Sequence, residues 1–325
     1  MKIFIKIGVP SWSETPSWGD YHFARAMQRA LSGMGHEVVV QILPEWDDDS
    51  DRDSDVTIHL MGLSRYKAKK GPLNVLWLIS HPDKISSINF SQYDLVFAAS
   101  RPLAKKLKSL LGVPVVELLQ FADTYHMFPD YTAELGHELT FVGNSRGEKR
   151  KIIKDILPCE YNLKIWGGGW EAFLPEGYVE GTYFPYSQLR RLYSSSLIVL
   201  NDHWEDMRRW GLVNNRIFDA LACKGFVVSD ANSEMARIFP EAVVSYLERK
   251  DLIAKIEYYL EHPEETEAKR ELGYKLVKKH HSVEIRMQEM VEALISPPSG
   301  SRVKNFVWQA RRRLLKKRCF NPDSR

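Results

Sequence analysis

The chain has 325 residues, 44% hydrophobic and 27% charged, a balance that excludes general disorder and leaves apolar surface for two cores of about 150 residues each. Its three cysteines, Cys159, Cys223 and Cys319, are far apart and odd in number, which argues against a disulfide framework or a zinc site and fits a reducing compartment. Net charge is +3, but residues 301–325 hold nine Lys/Arg against one Asp, so residues 1–300 sum to about −5, the wrong sign for a nucleic-acid enzyme. The apolar start turns polar at Ser11, too early for a secretory core, and no apolar run approaches the ~18 residues of a membrane span, so a cytoplasmic protein is expected.

In chain order, Lys2 to Val9 is an apolar run that predicts a strand. Tyr21 to Met34 sets Phe23, Met27, Ala30 and Leu31 at helical spacing, with Gly33 and Gly35 at its end. The compact runs Glu37 to Leu43, Val56 to Met61, Val75 to Ile79 and Leu95 to Ala99 read as buried parallel strands. A helix from Pro102 to Leu111 and a strand from Val113 to Leu119 complete a first doubly wound domain, residues 1–122. Residues 123–138 have Pro, Gly and aromatics without periodicity and predict a linker.

A second alternation follows, with strands at Leu139 to Val142, Leu163 to Trp166, Leu197 to Leu200 and Phe226 to Ser229. Between and after them come helices at Lys149 to Ile156, Tyr186 to Ser194, Asn215 to Ala222, Arg249 to Glu261 and Pro263 to Leu294, the last broken near Lys279 to Ser282. This is a second domain, residues 139–300, followed by a basic tail, 301–325. Two doubly wound, parallel-sheet (Rossmann-like) α/β domains in tandem predict a cleft where the carboxyl ends of their strands face each other, the place where this class binds ligands.

Four segments carry chemistry. Asn214 to Asp230 reads as an amphipathic helix whose first turn offers free backbone N–H groups, Asn215 and Arg216 to a diphosphate. One turn on, Asp219 is placed to accept both hydroxyls of a ribose. Phe141 to Lys151 runs from a strand into a turn, Gly143-Asn144-Ser145-Arg146-Gly147, and a basic helix start, a site for a leaving diphosphate as its charge grows. The other reading of Arg146, and of Lys149 to Lys151, is a solubilising helix surface. Trp166-Gly167-Gly168-Gly169-Trp170 either lets the backbone approach a base or ribose, with the indoles stacking on it, or is a simple tight turn. In the first domain Asp20 follows Gly19 at a helix start, where it reads as a cap, and His81 with Asp83 follows a central strand.

The stretch from Asn214 to Asp230 resembles the donor-site helix of GT-B glycosyltransferases of the family 4 kind, and more closely their spore-maturation, CgeB-like relatives. Leu31 to Val40, Gln120 to Pro129 and His262 to Leu294 are similar to the matching steps of such enzymes. The resemblance implies a sugar transferred from a UDP-, GDP- or dTDP-sugar, with retention and without a metal or other cofactor, to a glycan, lipid or protein acceptor. It makes residues 1–122 the acceptor domain and 139–300 the donor domain. It implies phosphate contacts by Arg146 with Arg150 or Lys151, and a sugar or acceptor contact by His81. Such enzymes carry two glutamates with seven residues between them; Asp219 takes the second place and Gly211 stands at the first, so Glu205, Asp206 or the backbone near Gly211 is left to fill that role.

Residues 45–55 hold Asp-x-Asp triplets that bind metal in other sugar transferases, but seven acids with two serines read as a solvated loop. In the tail, Phe306, Val307, Ala310, Leu314 and Leu315 share one helical side among basic residues, which reads as an anionic-membrane anchor over 302–320, as a disordered basic tail, or as a final helix packed on the other domain. Three functions follow: a glycosyltransferase; a catalytically silent GT-B-like binding module, suggested by Gly211; and a GT-B-type epimerase or phosphorylase.

Overall fold

The computed structural model describes residues 1–175 and 177–295, so the tail lies outside the described residues. The chain divides into two compact units. Among the described residues, unit 1 comprises Met1–Gln120, Trp210–Leu212 and Val283–Ile295; unit 2 comprises Phe121–Arg209 and Val213–Ser282.

Unit 1 is a six-stranded parallel sheet of β1 (Lys2–Lys6), β2 (Glu37–Gln41), β3 (Val56–Met61), β4 (Leu73–Leu78), β5 (Leu95–Ala98) and β6 (Val115–Glu117), in the order β2-β1-β3-β4-β5-β6. Every residue of β3, β4 and β5 is buried, as expected of strands covered on both faces. Helix α1 (Gly19–Gly33) buries Phe23, Met27, Ala30 and Leu31 on one face. It stops because Gly35 takes a left-handed φ of 83°, which lets the N–H groups of Gly35 and His36 close on the carbonyls of Ser32 and Leu31. Its N-cap is Trp18, without a side-chain bond, and Asp20 lies within the first turn, so Asp20 is not the cap that its position suggested. Helix α2 (Arg101–Leu110) is capped by Ser100, whose Oγ accepts the Leu103 N–H at 3.1 Å.

Unit 2 contains β7 (Leu139–Val142), α3 (Lys151–Ile156), β8 (Leu163–Trp166), β9 (Val179–Gly181), α4 (Leu189–Ser195), β10 (Ile198–Asn201), α5 (Glu205–Arg209), α6 (Asn215–Ala222), β11 (Val227–Asp230), α7 (Met235–Ile238), β12 (Val243–Tyr246), α8 (Arg249–Glu261) and α9 (Pro263–His280). Its sheet is also parallel and six-stranded, ordered β12-β11-β10-β7-β8-β9. The core gathers Leu139, Phe141, Ile153, Ile165, Trp170, Leu200 and Phe226 around the central strands.

Two expectations change. The linker is packed structure: Asp123 and Met127 are buried, and the N–H groups of Asp130 and Thr132 donate to Ser194 and Ser195 Oγ at 2.9 Å. The final helix, α10 (Val283–Ile295), belongs with unit 1, where it packs against α1 through a face containing Met287, Met290 and Leu294. Among the described residues no helix is long and apolar enough to cross a membrane.

Candidate functional site

In unit 2 the chain winds outward from β7 to β8 and β9 on one side, and from β10 to β11 and β12 on the other. The switch point therefore falls between β7 and β10, and the loops leaving their carboxyl ends part there, as they do where this fold holds a ligand. One loop is the Gly143–Arg150 turn and the other is Asp202-His203-Trp204, followed by α5. Helix α6 opens beside them. The Asn214 Nδ2 donates to Asp202 O at 2.8 Å, and Arg216 Nη1 donates to Asn201 Oδ1 at 2.7 Å. Arg216 lies with its guanidinium 4.7 Å from the Phe141 ring centre and so close over Gly143 that a Cβ there would stand 2.6 Å from Nη2. Burial lowers its pKa below the ordinary arginine value. The Gly143 turn and the first turn of α6, expected to act on one phosphate group, are thus joined through Arg216.

The remaining basic side chains behave differently from one another. Arg146 is exposed, sits on a left-handed backbone (φ 53°), and lies 5.7 Å from the Trp204 ring centre. Arg150 is buried and spent on Asp202, with Nε 3.2 Å from Oδ2, Nη2 bonded to Oδ1, and its face 3.9 Å from the Trp204 ring centre. Lys151 pairs with Asp155 and lies 4.7 Å from the Tyr246 ring centre. The expectation that Arg150 or Lys151 reaches out to phosphate therefore meets side chains already matched by carboxylates.

Asp219 is buried, accepting the Asn215 Nδ2 at 2.6 Å and the Asp123 N–H at 3.3 Å. Burial, helped by the nearby Asp123 charge, pushes its carboxyl well above the usual range. Glu205 is largely exposed on α5 and pairs with Arg208. The glycine triplet serves loop packing. Ser145 N–H donates to Gly168 O, Gly168 N–H to Asn144 Oδ1 at 2.8 Å, and Trp170 Nε1 to Gly143 O at 2.9 Å. Both indoles turn into the fold: Trp170 is fully buried, and Trp166 is 8% exposed between His137 and Phe184.

What sequence reasoning missed is the buried polar knot at the ends of β10 and β11. His203 Nδ1 and N–H both meet Asp230 Oδ1, at 2.7 and 3.1 Å, and Asn201 Nδ2 donates to Ser229 Oγ at 2.8 Å. Four buried polar atoms of this region, His203 Nε2, Asp230 Oδ2, Asn214 Oδ1 and Asn215 Oδ1, have no protein partner. The available signal was a strand ending in Asn-Asp-His-Trp, whose meaning depends on a strand order that the sequence does not spell out.

In unit 1, Asp20 reaches the loop after β3, where a Cβ at Gly62 would stand 3.2 Å from Oδ2, next to the switch between β1 and β3. His81 follows β4 in a left-handed conformation (φ 50°), and its carbonyl accepts the Lys84 N–H at 2.9 Å. The acidic stretch is not simply solvated: Asp51 is buried, bonded to Lys6 Nζ at 2.7 Å and Lys69 Nζ at 2.8 Å. No three His, Cys, Asp or Glu side chains among the described residues group to hold a metal ion. A cavity of about 420 Å³ in unit 2 lies away from the switch point, where Leu197 and Lys224 precede β10 and β11.

Residues 146–292 match the family described as glycosyl transferase-like. The spore protein CgeB of Bacillus subtilis (strain 168) is 26% identical over 153 residues, 42% of this chain and 47% of that protein, so the chain spans about half the length of this curated relative. In structure the chain is similar to sucrose-phosphate synthase from Thermosynechococcus elongatus (TM-score 0.64, 11% identity, 89% of this chain and 97% of that one). It is also similar to T4 phage BGT in complex with UDP-glucose (TM-score 0.62, 14% identity, 90% and 98% covered). The fold is GT-B, and the CgeB-like resemblance read from the donor helix agrees with these findings.

Proposed function

We propose that this chain is a glycosyltransferase whose unit 2 seats a nucleoside-diphosphate sugar against the amino end of α6. The observation that carries this reading is the convergence of Arg216, the Gly143 turn and the exposed Arg146 at the switch point of a GT-B sheet. Positive charge from Arg146, Arg216 and the helix terminus supplies what a diphosphate leaving group needs, so the reaction is proposed to run without a metal or other cofactor. The donor is proposed to be a UDP-, GDP- or dTDP-sugar, whose base is uracil, guanine or thymine; the phage neighbour's complex holds the first kind, UDP-glucose. Retention of configuration comes from the resemblance. Unit 1 is assigned the glycan, lipid or protein acceptor, with His81 and Asp20 at the ligand-binding edge of its own sheet. The buried, engaged Asp219 and the Gly211 substitution favour a second reading, a GT-B-like module that binds the donor without turnover.

The test is incubation of the purified protein with UDP-, GDP- and dTDP-sugars, following thermal protection and nucleotide release with a set of acceptors. Protection with release supports the transferase; protection without release under every acceptor supports the silent module. Absence of any protection removes both. Arg146→Ala is expected to weaken nucleotide affinity about 10-fold, the loss of one charge-assisted contact to phosphate. Unchanged affinity by calorimetry would take Arg146 out of the site.

The tail adds a location. Its basic residues among spaced apolar ones are proposed to hold the protein at an anionic membrane surface, from the cytoplasmic side. Deleting residues 301–325 is expected to abolish co-sedimentation with phosphatidylserine vesicles and to leave the urea midpoint in place. Equal sedimentation of both forms overturns the proposal.

A further inference from the structure

Three consecutive residues after β10 have divided tasks. Asp202 grips the buried Arg150, and His203 is fixed at side chain and backbone by the buried Asp230. Those two anchors determine where the third, Trp204, presents its ring. Two cations meet that ring: Arg150, 3.9 Å from its centre, and Arg146, 5.7 Å from it. Arg150 is 5% exposed and paired with Asp202; Arg146 is exposed, on a turn whose backbone is left-handed at two successive residues, Arg146 and Gly147. Such a turn fixes an arginine's direction poorly by itself, because the long side chain keeps several rotamers open. A guanidinium resting on an indole face loses that freedom while its N–H edge stays available for a bidentate anion.

Resting on the donor-site reading above, we propose that Trp204 is a positioning residue for the donor diphosphate: braced by Arg150, it presents a face that holds Arg146 toward the phosphates. Arg150 then acts as the brace, and the phosphate contact falls to Arg146. This division explains why a site needing positive charge buries one of its arginines against a carboxylate.

The experiment measures UDP, GDP and dTDP affinity by calorimetry for the full chain and for Trp204→Leu, Trp204→Phe, Arg146→Ala and the double variant Trp204→Leu/Arg146→Ala. Trp204→Leu is expected to lose about 3- to 10-fold in affinity for whichever nucleotide binds the wild type, and Trp204→Phe, which keeps an aromatic face, less than about 2-fold. In the Arg146→Ala background, Trp204→Leu is expected to cost less than about 2-fold, because the group it positions is gone. Equal losses for Leu and Phe, or a Leu loss that persists undiminished without Arg146, overturns the proposal in favour of a packing role. A wild type that binds none of the three nucleotides removes the donor-site reading itself, and the assignment of Trp204 falls with it. Melting temperatures of all four variants within a few degrees of wild type establish that the losses are not unfolding.

Discussion

Replacing Asp202 by alanine is expected to lower the unfolding free energy by about 3–5 kcal/mol, the cost of leaving a buried guanidinium without its carboxylate. The geometry puts this site at the upper end for an ion pair. The Arg150 and Asp202 side chains are 6% and 1% exposed, and both carboxylate oxygens are used, Oδ2 by Arg150 Nε at 3.2 Å and Oδ1 by Nη2. Oδ2 also accepts the Ile152 N–H at 3.4 Å, so the carboxylate ties the first turn of α3 to the end of β10. Burial raises the Asp202 pKa even though Arg150 and Arg216 pull it down, which shows how heavily desolvation weighs here. The double change Arg150→Met with Asp202→Val should therefore recover much of the loss, because it removes both charges with little change in their combined volume. Glu205→Ala, at a pair whose carboxylate is 72% exposed, should cost under about 0.5 kcal/mol. Urea unfolding followed by circular dichroism measures all three. An Asp202→Ala variant within about 1 kcal/mol of wild type would show that the pair is solvated and that the switch point is looser than described.

Much of the fold was legible because its interior strands are short apolar runs bounded by polar residues. Val56–Met61, Leu139–Val142, Leu163–Trp166, Asn215–Ala222 and Arg249–Glu261 have the expected bounds. The strands that escaped are the two edges of the second sheet, β9 and β12. Neither is covered on both faces: β9 has no buried residue and β12 alternates buried with half-buried, so neither makes a continuous apolar run. The helix start at Asn215 and the Gly143 turn were legible because helix starts and glycine turns are local features, and the two do meet, through Arg216. The chemistry of individual charges was not, since it is set by distant partners. Arg150 sits in a run of basic residues that reads as surface, and its carboxylate lies 52 positions away. Asp51 sits in a run of acids that reads as solvated, and the cation that buries it is Lys6, on β1. A local pattern reports the average environment of a segment and not the one side chain in it that turns inward.

The same distinction decides what the glycine triplet does, and substitution there should separate two meanings of the same sequence. Gly167→Ala is expected to cost about 2–4 kcal/mol, from a strained backbone together with an overlap that no side chain can relieve. Gly167 has a φ of 146°, and a Cβ there would stand 2.2 Å from Gly143 O and 2.5 Å from Gly143 C. Those are backbone atoms, held by the Trp170 indole on the Gly143 carbonyl and by the Gly143 N–H on Trp166 O at 2.8 Å, so relief requires the two loops to part. Parting them moves the Gly143 turn, and on the proposed donor site nucleotide affinity should fall with stability. Gly168→Ala is the contrast. Its Cβ would meet only Asn144 Oδ1, at 3.8 Å, and its φ is not left-handed, so stability should stay within about 0.5 kcal/mol. If Gly168 is instead where the chain comes against a base or ribose, that variant keeps its urea midpoint and loses nucleotide affinity in calorimetry. A tolerated Gly167→Ala, with midpoint and affinity both unchanged, would mean that the contact between the β7 and β8 loops does not shape the donor site.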